Sequence, residues 1–213
     1  LQHLTSINNQ DKRINMSIKT ASNDFPIHPL LKERWSPRAF NNRFIEPHKI
    51  RSLFEAARWA PSASNIQPWY FIVGLKGDDT YEQITGTLVE FNLLWATSAP
   101  MLFVTVANKI GKKGEINVAA QYDLGQAVAH LTFQAMEEGL YVHQMGGFDP
   151  LLAKTIFNIP DTHEALTVVA VGYIGKPESL HKNLVASETS PRERRKAKDS
   201  VFSGKFNTPS SIF

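Results

Sequence analysis

The sequence predicts one mixed α/β layer structure, and three observations point to it. Segments of helical period alternate along the chain with short apolar runs of strand length. The composition, 42% hydrophobic and 20% charged, is that of an ordinary globular protein. A chain of 213 residues can bury a sizeable core as a single domain and would be cramped as two.

Residues 1–25 are polar, rich in Asn, Gln, Ser and Lys, and show no sustained periodicity, so they are expected to form a flexible arm. Met16 lies within it and is a candidate native start. Pro26 and Pro29 open the folded part, giving a domain over residues 26–213. From Pro47, residues Ile50, Leu53, Phe54 and Ala57 recur at helical spacing, Pro47 suits a first helical turn, and the helix must end before Pro61. Residues 70–75 read as a buried strand, followed by a Gly77-Asp78-Asp79 turn and a helix over 81–94. Residues 101–107 form a second strand of the same kind. Over 117–138 so many positions are small or apolar that the helix is expected to be buried on most sides, in a core or against a second subunit. A third strand over 140–144, a Gly146-Gly147 step, a helix over 150–157 and a strand over 166–174 complete the pattern. The basic stretch 192–198 and the tail to Phe213 follow the last core strand and are expected along the surface or across a partner chain.

Composition also excludes. With no cysteine, the chain has neither disulfides nor thiolate metal ligands. The seven histidines form no i, i+4 pair and no HExxH pattern, so they are expected to be ordinary surface or core residues. The net charge of +3 is modest, and much of the basic excess sits in Arg192, Arg194, Arg195, Lys196 and Lys198, which suits a phosphate better than a nucleic-acid duplex. No apolar run reaches the roughly 18–20 residues of a membrane span and no signal-peptide pattern opens the chain, so a soluble, cytoplasmic protein is expected. There is no GxGxxG after a strand, no GxxxxGK[ST] and no GxSxG, which removes support for the usual dinucleotide fold, P-loop enzymes and α/β-hydrolases.

Four segments carry candidate chemistry. Arg34-Trp35-Ser36-Pro37-Arg38 sets two arginines and a hydroxyl at alternating positions. The proline favours an extended backbone at Ser36, so all three would face one side, where a phosphate could be held. Pro61-Ser62-Ala63-Ser64-Asn65-Ile66-Gln67-Pro68-Trp69 is a polar elbow between a helix and a strand. Gly146-Gly147 lets backbone approach a planar ligand closely. Arg194-Arg195 adds a basic pair. Each has a plain structural alternative: a solvated face, a cap and turn, a simple turn, a solvated basic tail.

Taken together, the four segments resemble the FMN-dependent nitroreductase family from about His28 to the C-terminus, and the APSxxNxQPW-like elbow is the most specific part. The resemblance implies an α+β sandwich with a mixed central sheet flanked by helices, forming an intertwined homodimer with two FMN molecules at the interface. It implies that Arg34 and Ser36 contact the flavin phosphate and that Arg38 lies near the N1/C2 side of the ring. Pro61, Ser62, Ala63 and Asn65 would reach the partner subunit's flavin. Trp35 and Gln67 fall in the same two segments. Gly146 and Gly147 would present backbone to the ring, with one N–H near N5; Gly146 stands where many relatives carry an acidic residue. Asn92 resembles an Asn bonded to the ring edge. Arg194 and Arg195 match a basic pair that closes on the phosphate, although Lys196-Ala197 replaces the Pro-Leu often found next.

The activity implied is ping-pong transfer of hydride from NAD(P)H through flavin N5 to nitroaromatics, quinones or similar acceptors, without a catalytic side chain or a metal. A cation such as Arg38 would favour the reduced ring, which carries negative charge along N1 and C2=O. The alternatives are another reaction on the same scaffold, such as dehalogenation or azoline oxidation, and a non-catalytic flavin-binding or storage protein.

Overall fold

The structure, a computed structural model, describes residues 19–213. Positions 1–18 of the expected arm, with Met16, lie outside the described residues. The described chain separates into two compact units, residues 34–189 and residues 19–33 with 190–213.

In the smaller unit a single helical turn, α1 (Pro29–Glu33), precedes the larger unit in sequence. The unit ties the two ends of the described chain together. Ala21 N–H donates to Lys32 O at 2.9 Å, Arg192 Nη2 donates to Lys32 O at 2.6 Å, Lys196 pairs with Asp24 at 2.9 Å, and the Phe25 and Phe213 rings meet edge to face.

The larger unit runs α2 (Pro47–Arg58), β1 (Trp69–Leu75), α3 (Asp79–Thr85), α4 (Glu90–Ala96), β2 (Met101–Asn108), α5 (Ala120–Glu137), β3 (Tyr141–Met145), α6 (Pro150–Ile156), β4 (His163–Gly172) and α7 (Lys182–Thr189). Its four strands lie in the order β1-β2-β4-β3. Every adjacent pairing is antiparallel, where a mixed sheet was expected. The reason is a split crossover: β2 and β3, joined through α5, are both antiparallel to β4 and hence parallel to each other, with β4 inserted between them. The α+β class implied by the family resemblance holds.

Alternate residues of the sheet feed two cores. Leu102, Val104, Val168 and Ala170 pack with Tyr81 and Ile84 of α3, Trp95 of α4, Ala153 of α6 and Leu184 of α7. On the other face Met101, Phe103, Val169 and Val171 pack with Leu53 and Ala57 of α2 and Ala127, Leu131 and Ala135 of α5. Burial on both faces is why β2, interrupted only by Thr105 before its terminal Asn108, reads as an apolar run rather than an alternating one.

Two elements differ from expectation. The helix expected over 81–94 is two helices, because residues 86–89 leave the helical path. There Thr87 Oγ1 donates to Ile84 O at 2.7 Å, Leu88 forms a β-bridge with Phe148, and Val89 N–H donates to Gly147 O at 3.2 Å. Helix α7 has no counterpart in the sequence reading, since only Leu184 and Glu188 of its eight residues are buried and no apolar stripe marks it.

Candidate functional site

The alternation expected of residues 34–39 is present. Trp35, Pro37 and Ala39 are buried, Ser36 is exposed, and Arg34 and Arg38 are half-buried. Arg34 Nη1 donates to Ser36 Oγ at 3.3 Å. The segment is anchored beyond its end by the Phe40–Ile174 bridge and by Gly175 N–H donating to Ala39 O at 2.7 Å. In its middle, the carbonyl of Pro37 accepts from His143 Nδ1 at 2.8 Å. That acceptor fixes the tautomer with the proton on Nδ1. Burial pushes the His143 pKa down to about 4, and the Arg38 and Arg34 charges act in the same direction against the carbonyl bonds to Pro37 and Ser36. His143 is therefore neutral at pH 7, and it is not one of the ordinary histidines of the sequence reading.

Arg38 is held through its backbone. Its N–H donates to Glu188 at 2.9 Å (Oε1) and 3.1 Å (Oε2), and Ala39 N–H donates to Oε1 at 3.0 Å. Its guanidinium lies over Phe91 and Trp95 of α4, 5.9 and 6.0 Å from the ring centroids, within cation–π range. His143 closes the group, its ring 4.4 Å from that of Trp95. Among the described residues, the buried Arg38 Nε has no hydrogen-bond partner.

The same helix α4 reaches the glycine step. Asn92, 8% exposed, donates from Nδ2 to Gly147 O at 2.8 Å. A Cβ on Gly147 would lie 2.6 Å from that nitrogen, whereas a Cβ on Gly146 meets nothing within 4 Å. A side chain at Gly147 would thus force Asn92 to shift, and Gly146 faces open space. One amide N–H of Asn92, expected at a ring edge, is committed to Gly147.

The elbow is built differently. Ser62 Oγ accepts from Gln67 N–H at 2.9 Å, Asp123 Oδ2 of α5 accepts from Ala63 N–H at 3.0 Å, and Lys112 Nζ donates to Ser64 O at 2.9 Å. These bonds hold Ser64, Asn65 and Gln67 at φ of +49°, +52° and +54°, left-handed backbone that L residues adopt at a cost of about 1 kcal/mol each. Pro61, Ala63, Ser64, Asn65 and Gln67 are exposed. The elbow leads into β1, at one edge of the sheet, while Gly146-Gly147 follows β3 at the other. Three strand spacings, about 14 Å, separate those edges.

Within the larger unit, then, helix α4 links Arg38 to Asn92 and Gly147, with Arg34 and Ser36 on Arg38's own segment, Gly146 next to Gly147 and Trp35 buried, while the elbow lies at the other sheet edge. Arg194 and Arg195 are exposed residues of the smaller unit, where Arg194 Nη1 donates to Glu193 O at 2.7 Å. Three residues that shape the site were missed: His143, Asp123 and Glu188. Asp123 had a signal, an acid within an otherwise apolar helical run. Glu188 had none.

Comparison with known proteins decides the family. The pattern of the Nitroreductase family matches residues 31–173. The chain belongs to the nitroreductase family. As a nitroreductase-family protein it is similar to a crystal structure described as the oxidoreductase containing FMN, at TM-score 0.83 and 31% identity over 88% of this chain and 96% of that one. It is 31% identical over 150 residues to an uncharacterized 15.4 kDa protein in the ask 5′ region of Mycolicibacterium smegmatis, covering 65% of this chain and 98% of that one. A shorter match, 35% over 66 residues, links it to the nitrobenzene nitroreductase of Ectopseudomonas oleovorans, covering 30% of this chain and 27% of the relative. No helix among the described residues is long and apolar enough to cross a membrane.

Proposed function

We propose that this nitroreductase-family chain is an FMN-dependent oxidoreductase that takes hydride from NAD(P)H and passes it to nitroaromatics, quinones or similar electron-poor acceptors. The observation that carries the reading is Arg38: a guanidinium whose buried Nε has no partner among the described residues, on the same extended segment as Arg34 and Ser36 and against helix α4, whose Asn92 bonds Gly147. Two cations and a hydroxyl on one side fit a phosphate and an electron-rich ring edge, and among the described residues no side chain meets the Arg38 Nε donor.

In this assignment Arg34 and Ser36 hold the phosphate. Arg38 faces the N1/C2 edge, where a fixed positive charge favours electron uptake. Gly147 offers a backbone N–H toward N5, and Asn92 holds that backbone in place. His143, neutral and bonded to Pro37, fixes the segment without adding a third charge. When bound, FMN supplies the ring that accepts a hydride at N5 and returns it. No side chain transfers a proton, and NAD(P)H and the acceptor take the same open face in turn, which is a ping-pong order.

The site is completed in this reading by a second copy of the chain. Support comes from the separation of the elbow and the glycine step to opposite sheet edges, and from the exposed Trp59 before the elbow, Ile116 and Val118 just ahead of α5 and Tyr122 in its first turn. A homodimer would bring one copy's elbow to the other's Arg38 side. The test is anaerobic addition of NADH or NADPH to the FMN-loaded protein, then a nitroaromatic. The flavin colour is expected to bleach and return; no bleaching with either nicotinamide would overturn the assignment.

A further inference from the structure

Glu188 is a buried acid that the proposed chemistry does not use. It is 3% exposed, and among the described residues it forms no ion pair. It sits in the last turn of α7, the end of a helix where the dipole disfavours negative charge. An arginine lies at hand, yet the carboxylate takes that arginine's backbone N–H rather than its guanidinium. The guanidinium is directed over Phe91 and Trp95 instead, with only a long 3.5 Å contact from Nη1 to Ser187 Oγ on the same helix. Opposite charges on two residues in direct contact would ordinarily pair; here the chain keeps them separate and solvates the carboxylate with two amides.

We infer that Glu188 is a positioning residue of the anion-binding wall: it pins the backbone of Arg38 and Ala39 so that the Arg38 guanidinium stays free for the ligand, and its charge limits the positive potential delivered there. This rests on the FMN assignment above. Leu184, one turn earlier, is buried on the same face of α7, so the helix is seated by an apolar contact and its carboxylate is delivered to a fixed place.

Two variants separate the two halves of the inference. Glu188→Gln keeps an oxygen that can accept from both amides while removing the charge, and Glu188→Ala removes both. In the FMN-free protein, amide exchange at Arg38 and Ala39 is expected to accelerate at least about tenfold in Glu188→Ala and to stay near wild type in Glu188→Gln. In the FMN-loaded protein, Glu188→Gln is expected to raise the two-electron midpoint potential, and Glu188→Ala to weaken FMN binding at least about tenfold. Unchanged exchange in Glu188→Ala overturns the pinning role, and an unchanged potential in Glu188→Gln overturns the electrostatic one. Wild-type protein that takes up no FMN refutes the flavin assignment instead, and the exchange measurement still decides whether Glu188 pins the segment.

Discussion

Gly147→Ala tests how the glycine step is held, and its cost can be worked from the structure. The backbone there is not left-handed, so alanine meets no conformational penalty; the penalty is the contact. The new Cβ would sit 2.6 Å from Asn92 Nδ2 and 3.0 Å from Val89 Cγ2. Relief requires Asn92 to withdraw by about 1 Å to reach van der Waals distance, and this breaks its 2.8 Å bond to Gly147 O. The lost bond costs about 1 kcal/mol and the overpacking about 1–3 kcal/mol, so about 2–4 kcal/mol in all. For a domain of this size that lowers Tm by about 4–16 °C. The assay is thermal unfolding of the FMN-free protein followed by circular dichroism, with Gly146→Ala as the companion, expected within about 0.5 kcal/mol of wild type. Asn92→Ala combined with Gly147→Ala should lose less than the sum of the single changes, because the clash disappears with its partner. A Gly147→Ala protein that melts with wild type, or a Gly146→Ala protein that falls as far, would refute the reasoning.

The arginines should divide their effects. Arg34→Ala removes a charged phosphate contact of about 1.5–3 kcal/mol, so FMN Kd by fluorescence quenching should rise about 10- to 100-fold; Arg38→Ala should lower the midpoint potential and slow reduction by NAD(P)H, and identical behaviour of both variants would contradict the division. Asp123→Ala leaves the Ala63 N–H without its acceptor and should destabilise by about 1–2 kcal/mol in urea unfolding, with Asp123→Asn recovering most of the loss. His143 has an ordinary pKa of 6.5 and a folded value of about 4, so the unfolded chain binds the extra proton between those values. Stability is then full above pH 6.5 and is lost as pH falls through 4, by at most about 3 kcal/mol. His143→Gln should flatten that part of the unfolding free energy measured across pH 7 to 4; an unchanged slope would place the acid sensitivity elsewhere.

Much of this was legible in the sequence because local signals and burial agreed. Pro47 and the Ile50, Leu53, Phe54, Ala57 spacing marked α2, apolar runs marked the strands, and Pro37 with the alternating Arg34, Ser36 and Arg38 marked the extended wall. What failed to show was long-range. The antiparallel sheet depends on β4 entering between β2 and β3, which no local pattern encodes. The break at residues 86–89 depends on Phe148 and Gly147 pairing with a segment nearly sixty residues earlier. Glu188 acts on Arg38 from 150 positions away, in a helix whose composition carries no amphipathic stripe. Gly147 was read as room for a ligand, and the structure adds that a side chain there would force Asn92 to shift.

The most direct measurement is sedimentation velocity of the FMN-reconstituted protein, followed at the flavin's visible absorbance. The account predicts flavin moving with a dimer, one FMN per chain, since the proposed site takes Arg38 from one copy and the elbow from the other. Protein that remains colourless after reconstitution, or flavin that sediments tightly bound to a monomer, would contradict it.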